Sequence, residues 1–286
     1  MAPIPSGTVR KDLMVKPAVL VEASPVPFFG FALWQLEACA LLVAATGDFH
    51  IGMKGRFREV FTFENVEWCV RKLDYFPVDV FLFCGDLSMS KRYDDNVKRA
   101  VNILYSANAK YRFMVVGNHD RWYDPSLRRV LSAPNYLKLL DGEGCYLDDL
   151  DLGVAGTMGW YDYSFSPKAD VDCERRERAV KATSIELKKL EAGLRDIEGA
   201  GVKVVVMHFS PTPETVRGDP FIGTCGSSAF MELLEAYGVD YVFHGHSHKC
   251  RDDCLEDVVR GVKVFNVSCD KRGFTPLIVE MSQFPI

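Results

Sequence analysis

Three short stretches of this chain are almost wholly apolar, and each stops on a polar residue. Residues 40–46 run into Gly47-Asp48, Val78–Cys84 into Gly85-Asp86, and residues 112–116 into Gly117-Asn118. A run without apolar–polar alternation reads as a strand covered on both faces. Between them, residues 61–73 and 93–107 place apolar side chains at helical spacing, so the order is β-α-β-α-β. Asp48 and Asp86 are 38 residues apart and Asp86 and Asn118 are 32 apart, and one β-α-β unit takes about 30 or more. The chain therefore brings a polar group back each time to one edge of one sheet, the carboxyl ends of its strands. Open α/β sheets bind ligands there.

The rhythm breaks over residues 121–201, which hold a proline-bearing stretch, a short strand Leu152–Thr157, an aromatic loop GWYDYSF at 159–165 and a charged helix at about 173–198. It resumes with a strand at 203–207 that ends on His208, a helix at 227–237, and a strand at 239–243 that leads into His244-Gly-His-Ser-His248. Closing strands follow at 262–267 and 276–280. At 286 residues and 48% hydrophobic the chain can bury one large core, the size of an ordinary α/β domain. We assign the domain to residues 39–286, preceded by an extension, 1–38, packed on it.

Residues 26–45 have the apolar look of a membrane span. Gln35 and Glu37 interrupt them, Pro25 and Pro27 open them, and they run directly into Asp48 and His50. Buried strands are expected here rather than a span or a signal peptide. The net charge of −5 offers no basic face for duplex nucleic acid. Nine irregularly spaced cysteines, several inside apolar runs, read as reduced thiols of a cytoplasmic protein. For Cys250-x-x-x-Cys254 a plain polar loop and a disulfide or thiolate site both stay open.

The polar groups after the strands are Asp48-x-His50, Asp86, Asn118-His119-Asp120, His208 and His246-x-His248, and all six histidines of the chain lie at strand ends. Buried carboxylates repel one another and buried imidazoles need partners. Divalent cations relieve both by accepting every lone pair. Oxygen and imidazole donors suit Mn, Fe, Zn, Co or Ni. Residues two apart on a strand share a face, so D-x-H and H-x-H can aim into one pocket.

The ordered set D-x-H, G-D, G-N-H-D, H, G-H-x-H resembles the calcineurin-like metallophosphoesterase superfamily, over residues 46–267. The resemblance implies an α/β fold, a layered β-sandwich flanked by helices (α/β/β/α), with a dinuclear metal site at the strand ends. It implies a metal-dependent hydrolase of phosphodiesters or phosphomonoesters that uses a metal-bound hydroxide. Asp48, His50 and His248 would hold one metal, Asn118, His208 and His246 the other, and Asp86 would bridge them. Manganese or iron is favoured. His119 would face the substrate as acid or charge stabiliser, with Asp120 orienting it.

Met89 stands where the purple acid phosphatases carry a ligand tyrosine, and GDLSMS with GNHD departs from the Ser/Thr protein phosphatase motifs. That leaves small-molecule or nucleotide phosphoesters as substrates, with specificity assigned to residues 121–201. A silent protein-binding scaffold and a nuclease of the same superfamily are the alternatives. Arg121 is either a phosphate contact or a surface arginine, Trp160 either a substrate platform or packing of a cap. His244 reads as a hydrogen-bond partner behind the site.

Overall fold

A computed structural model describes residues 40–54, 59–127 and 137–281. The expected extension, 1–38, and the apolar residues 26–39 lie outside the described residues. What is described of that apolar run is strand β1, Leu41–Thr46. No helix among the described residues is long and apolar enough to cross a membrane.

After β1 come α1 (Phe63–Arg71), β2 (Val78–Cys84), α2 (Asp95–Tyr105) and β3 (Ala109–Val115). Next are β4 (Lys138–Leu139), β5 (Gly144–Leu147), β6 (Leu152–Thr157), α3 (Cys173–Asp196) and β7 (Val202–Met207). The chain continues with α4 (Ala229–Ala236), β8 (Tyr241–His244), β9 (Glu256–Val259), β10 (Val262–Asn266) and β11 (Leu277–Met281). The first three long helices begin where a side chain satisfies an orphan amide. Thr62 accepts from Asn65 N, Asp94 from Val97 N and Asp172 from Arg175 N. These caps are why α1 and α2 start two residues later than the apolar spacing alone implies.

The strands form two sheets, ordered β11-β1-β2-β3-β4 and β5-β6-β7-β8-β10-β9. This corrects the reading of a single sheet edge: Asp48, Asp86 and Asn118 follow strands of the first sheet, His208, His246 and His248 strands of the second. An apolar run shows that both faces are covered and not by what. In β1, Leu41, Val43 and Ala45 join Val80, Leu82, Phe113 and Val115 in a core shared with Val154, Val204, Val206 and Phe243 of the other sheet. Ala44, Phe81, Phe83 and Met114 point the opposite way, onto Val66 and Val70 of α1 and Val97, Val101 and Leu104 of α2. On the second sheet Ala155, Val205, Met207 and Val242 pack under Leu190 and Leu194 of α3 and Phe230 and Leu234 of α4. The fold is α/β with helix, sheet, sheet and helix layers.

Strands β4, β5 and β9 escape sequence reading because they are two to four residues long and partly exposed. Residues 121–201 supply much of the second half: β6 is buried throughout, pairs in parallel with β7, and lies beneath α3. What leaves the layers is the aromatic segment between β6 and α3.

Candidate metal centre

The two sheets deliver their polar strand ends to one place. Asp48 and His50 lie beyond β1, Asp86 beyond β2, and backbone bonds from Asp48 N to Gly85 O (2.9 Å) and His50 N to Asp86 O (2.9 Å) extend the pairing past the strands. Gly47 bridges Ser268, which follows β10 of the other sheet. Asp48, His50, Asp86 and His246 all take positive φ, at 61°, 44°, 57° and 71°. Aspartate and histidine are enriched among non-glycine residues that tolerate this region, and such strain gathers at functional sites. The expected strand pleat is therefore not what aims these side chains; left-handed turns do. Glycine is required beside them. A Cβ on Gly117 would overlap Asp86 Oδ1, and one on Gly245 would overlap Asp48 Oδ2.

Two clusters result, Asp48 with His50 and His248, and Asp86 with His208 and His246. Within each, the ligand atoms lie within 4.8 Å of one another. His50 Nε2 is 2.9 Å from His248 Nε2, and Asp48 Oδ1 is 3.7 and 3.5 Å from those two nitrogens. In the second cluster His208 Nε2 is 2.9 Å from Asn118 Oδ1 and 3.2 Å from His246 Nδ1. Asp86 Oδ2 lies 3.3 Å from His208 Nε2 and 3.6 Å from His50 Nε2, between the clusters. Asn118 thus joins the second cluster and Asp86 touches both.

The donor set fits cations. His208 Nδ1 is 2.9 Å from the Cys84 carbonyl and His248 Nδ1 is 2.8 Å from Asp270 Oδ1. A ring that donates at Nδ1 presents the Nε2 lone pair when neutral. Lone pairs of nitrogen and oxygen therefore converge with too few protons to share among them.

The electrostatics show the same tension. Burial pushes the Asp48 and Asp86 carboxyls up, but surrounding imidazoles, His248 foremost for Asp48 and His208 for Asp86, hold both well below the usual carboxylate range. Burial would lower His208, yet Asp86 and Asp48 raise it to about 9. His248 is likewise raised against its burial by Asp48 and Asp270. Burial dominates at His50 and His246, lowering them to about 4 and about 3. The two carboxylates thus pull two of the rings toward their charged form, and bound cations would balance the same carboxylates while using the lone pairs as well.

His119 stands beside the clusters and belongs to neither. Its backbone N–H donates to Asp86 Oδ1 at 2.8 Å, and its half-buried ring meets the His50 ring edge-on at 5.3 Å. Asp120 departs from expectation. Its carboxylate accepts from Leu87 N (2.9 Å), Ser88 N (3.1 Å), Gly117 N (2.9 Å) and Trp122 Nε1 (2.8 Å), and so clamps the second motif to the third. Among the described residues no hydrogen bond joins this carboxylate to the His119 ring. Burial and then the Asp86 charge push the pKa of Asp120 up to about 7, against those donors. Asp120→Ala would leave four buried donors without their acceptor, at about 1–3 kcal/mol for each unsatisfied group. We expect more than about 3 kcal/mol of destabilisation, measured by denaturant unfolding.

Arg121 is exposed next to the motif. Trp160 is half-buried, stacks on Tyr161 and leans on Phe209. His244 is buried against Thr215 Oγ1 at 2.7 Å, outside both clusters. Cys250 and Cys254 are free, buried thiols, and no disulfide joins the described cysteines.

Sequence reasoning missed Asp270 and Phe209. Asp270 follows β10 closely, so the strand-end pattern points to it as well. It backs His248 as an outer carboxylate, an arrangement whose loss typically costs 10–100-fold in metal affinity. Asp270→Ala is expected to weaken one of two bound Mn²⁺ by about 10–100-fold and leave the other unchanged, read by calorimetric titration.

No curated protein matches the sequence. Among solved structures, the phosphopantetheinyl hydrolase of Mycobacterium tuberculosis superposes with a TM-score of 0.53 at 16% identity, covering 80% of this chain and 89% of that one. The protein TT1561 of Thermus thermophilus superposes at 0.51 with 14% identity, covering 84% and 99%. At these identities the likeness is one of fold. The sequence model of the calcineurin-like phosphoesterases matches residues 41–250, which contain every residue of both clusters. The chain belongs to the calcineurin-like phosphoesterase family.

Proposed function

We propose that this protein hydrolyses phosphoester bonds of small molecules or nucleotides, diesters or monoesters, with two divalent transition-metal ions, manganese or iron by preference. The observation that carries the reading is the place of Asp86, whose Oδ2 lies within 3.6 Å of one imidazole from each cluster. One carboxylate would then serve two cations. Asp48, His50 and His248 would hold the first, Asn118, His208 and His246 the second. When bound, such a pair supplies Lewis-acid charge for the phosphoryl oxygens and activates water for in-line attack.

The chain's own residues do the rest. Asp48 is fixed by the His246 amide, 3.1 and 3.0 Å from its two oxygens, so the first and fifth motifs hold each other in place. The Asp86–His119 backbone bond sets the imidazole of His119 at the edge of the site. There it delivers a proton to the leaving oxygen. Arg121, exposed beside it, is a contact for the outer phosphoryl oxygens. The aromatic segment between β6 and α3 is assigned to substrate selection.

Phosphomonoesters, phosphodiesters and cyclic nucleotides assayed with Mn²⁺ test the reading. Turnover of at least one class is expected, abolished by chelation and restored by Mn²⁺. Two bound equivalents with no turnover of any class would replace it with a silent scaffold of the same fold.

A further inference from the structure

The clusters would hold a phosphoryl group whatever it is attached to. Selection has to come from surfaces that adjoin them, and one begins at a ligand. The Phe209 ring lies 4.2 Å from the His246 ring, and the indole of Trp160 lies 4.9 Å from Phe209. Tyr161 stacks on Trp160 at 5.2 Å with their planes 21° apart, and Tyr163 meets Tyr161 edge-on at 5.2 Å. This is a continuous aromatic surface leading away from the second cluster.

The segments that carry these rings are pinned by hydrogen bonds. His208 N and Phe209 N both donate to the Met158 carbonyl at 3.0 Å. Thr183 Oγ1 donates to the Tyr161 carbonyl at 2.9 Å, and Ser227 Oγ to Asp162 Oδ2 at 2.6 Å. The backing ring, Phe209, is buried, whereas Trp160 stays partly open. Held in place and left open, it offers a π-face whose ordering cost is met before any ligand arrives.

We propose that Trp160, backed by Tyr161 and Phe209, is a stacking subsite for a planar heteroaromatic group on the substrate, selecting nucleotide-type phosphoesters over alkyl or sugar phosphates. This rests on the phosphoesterase reading and names its substrate class. Stacking is the fitting mode because every nucleobase has a π-face and aromatic rings form the continuous part of this surface. Trp160 therefore sets the preference for a base, without choosing among bases.

The test uses the full chain loaded with Mn²⁺, as wild type, Trp160→Ala and Trp160→Phe. AMP and ribose 5-phosphate, with the methyl diester of each, form two substrate pairs that differ only by the base. Chromatography follows the products. Wild type is expected to favour the base-bearing member by roughly 5- to 150-fold in kcat/KM, the range for one stacked base. Trp160→Ala should lose that preference, with a much smaller loss on the ribose compounds than on their base-bearing partners, and Trp160→Phe should keep most of it. Equal losses on both members of a pair would overturn the proposal.

Calorimetric binding of AMP and ribose 5-phosphate to the same proteins gives a readout independent of turnover. Wild type should bind AMP more tightly by a similar factor, and equal affinity would overturn the subsite even if Trp160→Ala did not fold. Tight AMP binding that depends on Trp160, without turnover of any ester, would refute the phosphoesterase reading and leave the subsite standing.

Discussion

Asp86→Asn is expected to reduce turnover by well over 100-fold and to weaken both cations together, whereas Asp48→Asn and Asn118→Ala each weaken one. The exchange is nearly isosteric, so its effect is electrostatic. Asparagine can still accept the His119 amide at the Oδ1 position. It then presents an NH₂ where Oδ2 faced His50 Nε2 at 3.6 Å and His208 Nε2 at 3.3 Å. A donor that faces two imidazole lone pairs would oppose cation binding there, and one negative charge of the donor set is gone. Loss of an outer carboxylate behind a ligand costs about 10–100-fold in affinity, and loss of a direct bridge should exceed that. Metal analysis after gel filtration and a Mn²⁺ titration of activity check it. An Asp86→Asn protein with two full equivalents and normal turnover would refute the bridging role.

The second large effect is expected at His119. Its ring lies beside His50, and its backbone is tied to the Asp86 carboxylate, yet it lies outside both clusters. His119→Ala should leave metal content and melting temperature nearly unchanged. A positioned imidazole acid contributes about 10²–10⁴-fold, so kcat should fall by that order for an alkoxide leaving group. For p-nitrophenolate, which departs as an anion, the fall should be much smaller. If His119 instead stabilised charge on the phosphoryl oxygens, both esters would suffer alike, since that charge develops with either leaving group. The ratio of the two losses on one metal-loaded preparation decides between the roles. A lost metal equivalent would place His119 among the ligands.

Both experiments act on residues visible in the sequence, because ligand chemistry resides in residue type and order along the chain. Aspartate, histidine and asparagine after apolar strand runs are few, costly to bury without a partner, and spaced as β-α-β units require. Their grouping, the alternation of strands and helices, and the family likeness followed from that pattern alone. Which residues stand behind them was not visible. Asp120 engages the amides of Leu87, Ser88 and Gly117 and the Trp122 indole, and nothing in its neighbours along the chain distinguishes this from orienting His119. Asp270 meets His248 across 22 residues of sequence, and Trp160 reaches His246 only through Phe209.

The layering was also a tertiary decision. Val43 and Ala44 are both fully buried, one against a sheet and one against helices. Apolar burial has no direction and asks only for area removed from water, so the sequence determined that both faces are covered while the packed fold determined by what. The same holds for the site. Residue chemistry selected the candidate ligands, and the meeting of two sheets set which imidazole faces which carboxylate, because contact distances depend on how the layers pack and spacing along one chain cannot encode them.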